Sequence, residues 1–213
     1  MIAEQLSADP RVLLVGAVRG LYSETYQVVD ELERFHPERV GVGLSPEEMK
    51  GLQEYFADAE AETTVHLIET ETSEVRGLSR WGEVRVPNPV NVRTLEWARY
   101  RGVPLSALDP SDEGAAQMFT ANIGYVELVR RTLREKGLSR NPPTASSPDE
   151  FALRWDAELN GGKGSRELAL NRERYFVAGA REMLRLASRI ALVVDRERFD
   201  LVRTLLVAPE GAG

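Results

Sequence analysis

Arginine and carboxylate side chains follow apolar segments at four places in the chain. These places are residues 16–19, 44–48, 109–113 and 195–198. Ligands of an open parallel sheet bind beyond the carboxyl ends of its strands, where these residues are expected to lie. A guanidinium binds carboxylate or phosphate through two parallel hydrogen bonds, so Arg19 and Arg198 suit a small anionic ligand. We therefore predict a ligand site containing Gly16, Arg19, Asp195 and Arg198, with ion pairs and helix caps as their alternative roles.

Arg172 is a further candidate for ligand binding. In the helix predicted from Ser165, it lies one turn after Leu168 and one turn before Phe176, beside an apolar stripe. A long cation in that position must find a carboxylate, backbone carbonyls or a bound anion. Arg172 therefore either anchors a ligand or orients a carboxylate of the site, or it forms a purely structural ion pair.

Three carboxylates offer an alternative, catalytic chemistry. Glu47 and Glu48 follow one predicted strand, and Asp109 follows another. A carboxyl group serves as a general acid or base when burial moves its pKa towards neutrality. Carboxylates alone can also hold magnesium. These three residues are the candidates for a hydrolase site.

Cysteine and histidine usage narrows the chemistry further. The chain has no cysteine, and its histidines are His36 and His66. Thiol nucleophiles, thiolate metal sites and a zinc site built on several imidazoles are therefore excluded within one chain. The glycine-rich segment 161–165 lacks the spacing of a phosphate loop, and residues 16–20 do not complete a dinucleotide motif. Apart from the carboxylate alternative, we predict no cofactor and no metal site.

Length and charge bound the class of protein. A chain of 213 residues is long enough for one sizeable core, so we predict a single domain over residues 1–213. A net charge of −7 argues against broad nucleic-acid binding, which requires a basic face. No apolar run approaches the roughly 18 residues of a membrane span. Residues 1–10 lack the basic region of a signal peptide, so we expect a cytoplasmic protein.

Strands and helices are predicted to alternate along the chain. The predicted strands cover residues 11–18, 39–44, 103–108 and 189–194, and the predicted helices cover residues 23–37, 46–56, 92–102, 111–136, 147–160, 165–188 and the segment after 195. Strands separated by helices favour an α/β fold with a mainly parallel sheet flanked by helices. Residues 63–69 and 81–86 alternate between polar and apolar side chains, which predicts an antiparallel hairpin at a sheet edge.

Five segments of the chain carry sequence motifs whose order along the chain is informative. They are the strand, turn and helix of residues 12–39, the sequence Pro37-Glu38-Arg39-Val40, the helix and strand of residues 97–109, the sequence Asn171-Arg172-Glu173-Arg174-Tyr175, and the strand and turn of residues 190–198. In this order they resemble the TraB/PrgY/GumN family, relatives of the TIKI metalloproteases. The resemblance implies the erythromycin esterase/ChaN-like fold.

The resemblance also implies a metal-dependent hydrolase, in which two histidines and a glutamate hold a divalent cation. At those positions this chain has Arg19, Arg198 and Gly43. Asp109 is kept, whereas Pro110 replaces the arginine that follows it in the family. A guanidinium has no lone pair and carries a fixed positive charge, so it repels the cation that an imidazole would bind.

The resemblance therefore implies a diverged, non-catalytic domain. Arg19, Arg172 and Arg198 would bind a small anionic ligand there, or the domain would regulate a partner. Two alternatives stay open. One is a hydrolase with a carboxylate-based site, and the other is a structural or interaction protein that forms a homodimer, the commonest symmetric oligomer.

Overall fold

A computed structural model describes residues 1–57 and 69–209. In these ranges the chain forms one sheet of strands β1 (Ile2–Gln5), β2 (Val12–Ala17), β3 (Arg39–Val42), β4 (Leu105–Ala107) and β5 (Ile190–Asp195). The strand order is β1-β2-β5-β3-β4, and β1 is the antiparallel edge strand of an otherwise parallel sheet. The α/β class with a mainly parallel sheet is thereby confirmed.

Helices cover both faces of this sheet. They are α1 (Glu24–Phe35), α2 (Pro46–Ala57), α3 (Glu69–Leu78), α4 (Pro89–Arg101), α5 (Asp112–Asn122), α6 (Tyr125–Arg140), α7 (Pro148–Leu159), α8 (Lys163–Leu186) and α9 (Phe199–Val207). Side chains of α1, α2 and α4 pack on one face of the sheet, and those of α8 and α9 pack on the other. A third apolar cluster joins α3, α6 and α7 to the segment that follows β2.

The central strands are continuous apolar segments, and their side chains are buried on both faces of the sheet. All six residues of β2 are buried, as expected for a parallel strand covered by helices on each side. In the register, Ala17 pairs with Asp195 and Val42 pairs with Val193. Past β4, the backbone N–H of Asp109 donates to the carbonyl of Leu44 at 3.0 Å. The segments that follow β3, β4 and β5 therefore meet at one edge of the sheet.

The second segment of the predicted edge hairpin, residues 81–86, does not form a sheet strand. Residues 63–68 lie outside the described ranges, and Glu69 begins α3. In the second segment, Val84 forms only an isolated bridge with Leu21, and Arg85 N–H donates to the carbonyl of Gly20. This segment closes over the loop after β2 instead of extending the sheet. The antiparallel edge is provided by β1.

The long helix predicted over residues 111–136 is also wrong, because it is divided into α5 and α6. Ile123 is extended and buried, and Gly124 begins the second helix. Ile123 turns into the core at this point, which interrupts the helix. The apolar positions expected to face inward along α6 are exposed, among them Val126 and Leu133.

Several predicted helix ends are confirmed. The hydroxyl of Ser147 accepts from the backbone N–H of Glu150 at the start of α7, with Pro148 as the first helical residue. Gly102 ends α4 in the left-handed conformation, at φ 66°. None of the described helices is both long and apolar enough to cross a membrane.

Candidate functional site

Four charged side chains meet at the carboxyl edge of the sheet. Asp109 follows β4, Arg198 lies in the short turn after β5, and Arg172 and Glu173 lie on α8. We call these residues the strand-end cluster. Two cations and two carboxylates give the cluster no net formal charge.

Arg198 is the centre of the strand-end cluster. Its Nη1 and Nη2 donate to the two carboxylate oxygens of Asp109 at 2.9 and 2.7 Å. Its Nε and Nη2 donate to the two oxygens of Glu173 at 2.7 and 2.8 Å. The side chains of Arg198, Asp109 and Glu173 are only 6%, 4% and 3% exposed. Arg198 is thus a buried cation held by two carboxylates, each in a bidentate pair.

Gly43 makes room for this guanidinium. A Cβ atom at Gly43 would lie 2.3 Å from Nη1 of Arg198, closer than atoms can approach. On another side, the ring of Phe176 lies 5.2 Å from the guanidinium carbon of Arg198. The head of Arg198 therefore fills the space that a side chain at position 43 would need.

Arg172 forms the outer edge of the strand-end cluster. Its Nε donates to Oδ2 of Asp109 at 3.2 Å, and its Nη2 donates to the same oxygen. The Arg172 side chain is 43% exposed, so it covers Asp109 from the solvent side. The prediction that Arg172 must find a partner such as a carboxylate is confirmed.

The surroundings of Asp109 act on its pKa in opposite directions. Burial alone would raise the pKa of Asp109, but the charges and hydrogen bonds of Arg198 and Arg172 hold it below its usual value. Burial would lower the pKa of Arg198, whereas Glu173 and Asp109 raise it overall. Both groups therefore stay ionised in the folded protein near neutral pH.

The other predicted ligand residues do not join this cluster. Gly16 lies in β2 and packs against Phe199, since a Cβ there would lie 2.9 Å from that side chain. Asp195 accepts a hydrogen bond from the amide of Asn88 at 3.4 Å. Arg19 has an exposed side chain after β2, and within the described ranges the cluster carboxylates bond to Arg172 and Arg198 only. Of the three arginines predicted to converge, Arg172 and Arg198 therefore meet at Asp109, whereas the convergence of Arg19 with them stays a prediction.

The candidate catalytic carboxylates are not paired with one another. Glu48 accepts from the backbone N–H of Ser45 at 2.8 Å, and Ser45 Oγ accepts from Glu48 N–H at 3.1 Å, a capping box that begins α2. Glu47 accepts from the N–H of Asp112 at the start of α5. Asp109 bonds to arginines instead. The expected pairing of Asp109 with Glu47 or Glu48 therefore stays a prediction, and the two glutamates bond to backbone N–H groups at helix starts.

Glu173 is a cluster residue that sequence reasoning did not assign. It lies three and four residues before Phe176 and Val177, which are buried on the same face of α8. A carboxylate at helical spacing within a buried apolar stripe requires a cation. That spacing was the signal in the sequence that could have found Glu173.

The residues of this edge do not fit the divalent metal that the family resemblance implies. The guanidinium of Arg198 binds both Asp109 and Glu173, and it occupies the space beside Gly43, the position at which the resemblance places a glutamate. A guanidinium offers no lone pair to a metal. In residues 1–57 and 69–209, no group of three or more His, Cys, Asp or Glu side chains has an arrangement that could hold a metal ion.

A further acid with a shifted pKa lies outside the cluster. Glu197 is partly buried in the turn after β5. Burial, together with the nearby charge of Asp195, raises the pKa of Glu197 to about 8. Its carboxyl group therefore titrates near neutral pH.

Comparison with known proteins gives no family for the chain. Neither a scan against protein-family models nor a search of curated protein sequences finds a match.

Proposed function

We propose that this chain is a non-catalytic, diverged domain of the TraB/PrgY/GumN type, with an erythromycin esterase/ChaN-like fold. In this proposal it acts in the cytoplasm by binding a small anionic ligand or a partner, and it does not carry out metal-assisted hydrolysis. The observation that carries the proposal is the closed strand-end cluster around Arg198.

The positions of the cluster residues support this proposal. Gly43 and Arg198 replace two metal-binding residues of the family, and in the fold they are in direct contact. Asp109, which the family keeps, is bound to Arg198. The replaced residues at positions 43 and 198 therefore lie next to each other in the fold. In this proposal, the guanidinium of Arg198 takes the place of a bound metal ion.

A thermal-shift screen tests the proposal. The melting temperature of the purified protein is measured with inorganic phosphate, with sodium chloride at matched ionic strength, and with magnesium, manganese, cobalt or zinc. A ligand that binds the folded state raises apparent stability as RT ln(1 + [L]/Kd). We expect phosphate to raise the melting temperature above the chloride control, and the divalent metals to leave it unchanged.

Two results would contradict this function. One is a saturable stabilisation by a divalent metal. The other is metal-dependent hydrolysis of an ester or peptide that is lost on adding a chelator. Either would mean that the cluster opens to admit a cation.

A homodimer formed through α5 and α6 is the second candidate function. No residue of α5 is buried, and in α6 only Leu138 is. An exposed apolar row runs along α6, and two of its members, Tyr125 and Leu133, are 80% and 64% exposed. An apolar row is complementary to a copy of itself, as a twofold interface requires. Light scattering tests this candidate, since a dimer has twice the chain mass of 23.8 kDa.

A further inference from the structure

A second basic site lies outside the strand-end cluster, between α3 and the end of α6. It is a cavity of about 260 Å³, which we call the α3–α6 pocket. Its lining residues are Ser73, Arg76, Gly77, Arg80, Ser139, Arg140 and Pro142. Three of these seven residues are arginines and none is acidic.

One face of α3 forms the first wall of the pocket. Ser73, Arg76, Gly77 and Arg80 recur at the spacing i, i+3, i+4 and i+7, which places them on one side of the helix and its continuation. The second wall is the end of α6. The hydroxyl of Ser73 donates to the carbonyl of Ser139 at 3.5 Å, so the two walls are joined.

The Arg80 side chain is held in position by the protein itself. Its Nε donates to the carbonyl of Gly77 at 2.9 Å, and its Nη2 donates to the carbonyl of Pro143 at 3.3 Å. Its guanidinium carbon lies 4.1 Å from the ring centroid of Trp81, a cation–π contact. A preorganised guanidinium loses little conformational entropy when a ligand binds.

The arginines of this pocket have no acidic partner in the part of the chain that the structure describes. Among the described residues, no carboxylate forms an ion pair with Arg76, Arg80 or Arg140. The chain as a whole carries a net charge of −7, so three such arginines in one cavity are a local exception.

A cavity at the opposite end of the sheet provides the comparison. It is also lined by arginines, but Arg11 pairs there with Asp9, and Arg185 pairs with Glu182. Those guanidinium groups already have acidic partners, so that cavity has less attraction for an anion.

We propose that the α3–α6 pocket binds a small ligand through a phosphate group. Guanidinium groups match phosphate oxygens through paired hydrogen bonds. The cavity is smaller than the roughly 300–1,000 Å³ of pockets for drug-sized molecules, and its volume suits inorganic phosphate or a small phosphomonoester. This inference rests on the proposed binding function and moves its anion site away from the strand-end cluster.

A purely structural role is the competing explanation. Arg76 and Arg140 lie in the last turns of α3 and α6, where a cation interacts favourably with the helix dipole. That role predicts an effect on stability without an effect on ligand binding. The experiment must therefore measure binding and stability separately.

Isothermal titration of the full chain with inorganic phosphate and with phenyl phosphate tests the pocket. The variants are Arg76→Gln and Arg140→Gln, whose exposed side chains allow replacement without disturbing the core. Arg185→Gln, at an exposed arginine of the other cavity, is the matched control. We expect saturable binding to the wild type, a roughly tenfold loss for each pocket variant, and wild-type affinity for the control. Stronger binding of phenyl phosphate than of phosphate would identify a phosphomonoester as the ligand class.

The other possible outcomes distinguish an error in the location of the pocket from an error in the proposed function. If the wild type binds phosphate but the pocket variants bind equally well, the pocket is wrong and an anion-binding function stands. If the variants only lower the melting temperature, the structural role is correct. If the wild type binds neither probe, both the pocket and the small-anion form of the proposed function fall. Metal-dependent hydrolysis would overturn the proposed function independently of the pocket.

Discussion

Arg198 joins the ends of two strands to helix α8 through its two carboxylate partners. A buried ion pair contributes little net stability, because desolvation offsets the attraction between its charges. Removing one partner is much more costly, because the remaining charge is left buried without a counterion. We therefore expect the loss of any one buried member of the strand-end cluster to destabilise the folded protein, although the complete cluster adds little net stability.

Replacing Arg198 by methionine is the direct test at this residue. Asp109 and Glu173 would be left buried without their shared cation, so we expect Arg198→Met to lower the free energy of unfolding by about 3–5 kcal/mol. Urea denaturation at pH 7 measures this change. Arg174→Met, at an exposed position of α8 next to Glu173, is the control and should change stability by about 0.5 kcal/mol or less.

The pH dependence of this loss checks its cause. The pKa of Asp109 is depressed in the folded wild type, so its stabilising contribution is present above the unfolded pKa and is lost as the pH falls through the folded pKa. In the variant, buried Asp109 keeps only the partly exposed Arg172 as its cation, so protonation of Asp109 relieves part of the cost of its burial. The difference between wild type and Arg198→Met should therefore shrink between pH 7 and about pH 4. A constant difference would contradict an electrostatic origin.

Gly43 and Gly51 together test whether the guanidinium of Arg198 fills the space beside position 43. A methyl group at Gly43 meets Nη1 of Arg198 at 2.3 Å, whereas a methyl group at Gly51 in α2 meets no atom within 4 Å. We expect Gly43→Ala to destabilise the protein by about 1–3 kcal/mol through overpacking. Gly51→Ala should stabilise it by about 0.5–1 kcal/mol, because alanine favours a helix. Thermal unfolding of both variants measures these opposite signs.

At the residue scale, the sequence predicted that Arg172 needs a negatively charged or carbonyl partner, but it did not identify that partner. Its position beside an apolar stripe requires a counterion, and that counterion is Asp109. Arg198 was expected to receive an external anion, but its carboxylates come from segments 89 and 25 residues away. Contacts over such separations depend on the strand order, which hydrophobic periodicity alone does not supply.

At the scale of elements, buried strands and capped helices were predictable, whereas edges were not. β2 and β5 are continuous apolar runs, which mark strands covered on both faces. β1 is only four residues long and mostly half-buried, so its pattern is too short to indicate a strand. The break between α5 and α6 was missed because the apolar spacing continues through Ile123 and Gly124.

The apolar row of α6 carries the prediction at this scale. If two copies associate through it, Leu133→Lys places a charge in the interface and should convert the dimer to a monomer. The melting temperature extrapolated to low protein concentration should stay unchanged, since Leu133 is exposed in the single chain. Gln53→Lys adds the same charge at an exposed position of α2 and is the control. Light scattering decides, and a monomeric wild type at all concentrations would contradict the dimer.

At the scale of the whole molecule, two acids make stability depend on pH in opposite directions. Asp109 must be ionised in the folded state, whereas Glu197 is favoured when neutral. A carboxyl group whose folded pKa is raised contributes stability below its unfolded pKa, and this contribution is lost as the pH rises through the folded pKa. For Glu197 this interval extends from about 4.3, its unperturbed pKa, to about 8.

Glu197→Gln tests this account. Glutamine cannot ionise, so the variant should be more stable than the wild type at pH 8, by about 1 kcal/mol or more. The gain should disappear near pH 4, where Glu197 is neutral in both the folded and the unfolded states. Melting temperatures measured across this range provide the check. Glu158→Gln removes an exposed acid and should show no such pH-dependent gain.

The contact between Gly43 and Arg198 also has a consequence for how such a domain changes over generations. Placing an acid at position 43 alone would drive its side chain into the guanidinium. Placing an imidazole at position 198 alone would remove the guanidinium that binds Glu173 and would leave Asp109 with Arg172 only. Each single replacement is therefore expected to give a less stable protein, so an exchange of both residues would have to occur together. Residues 43 and 198 are therefore expected to change together in evolution and not one at a time.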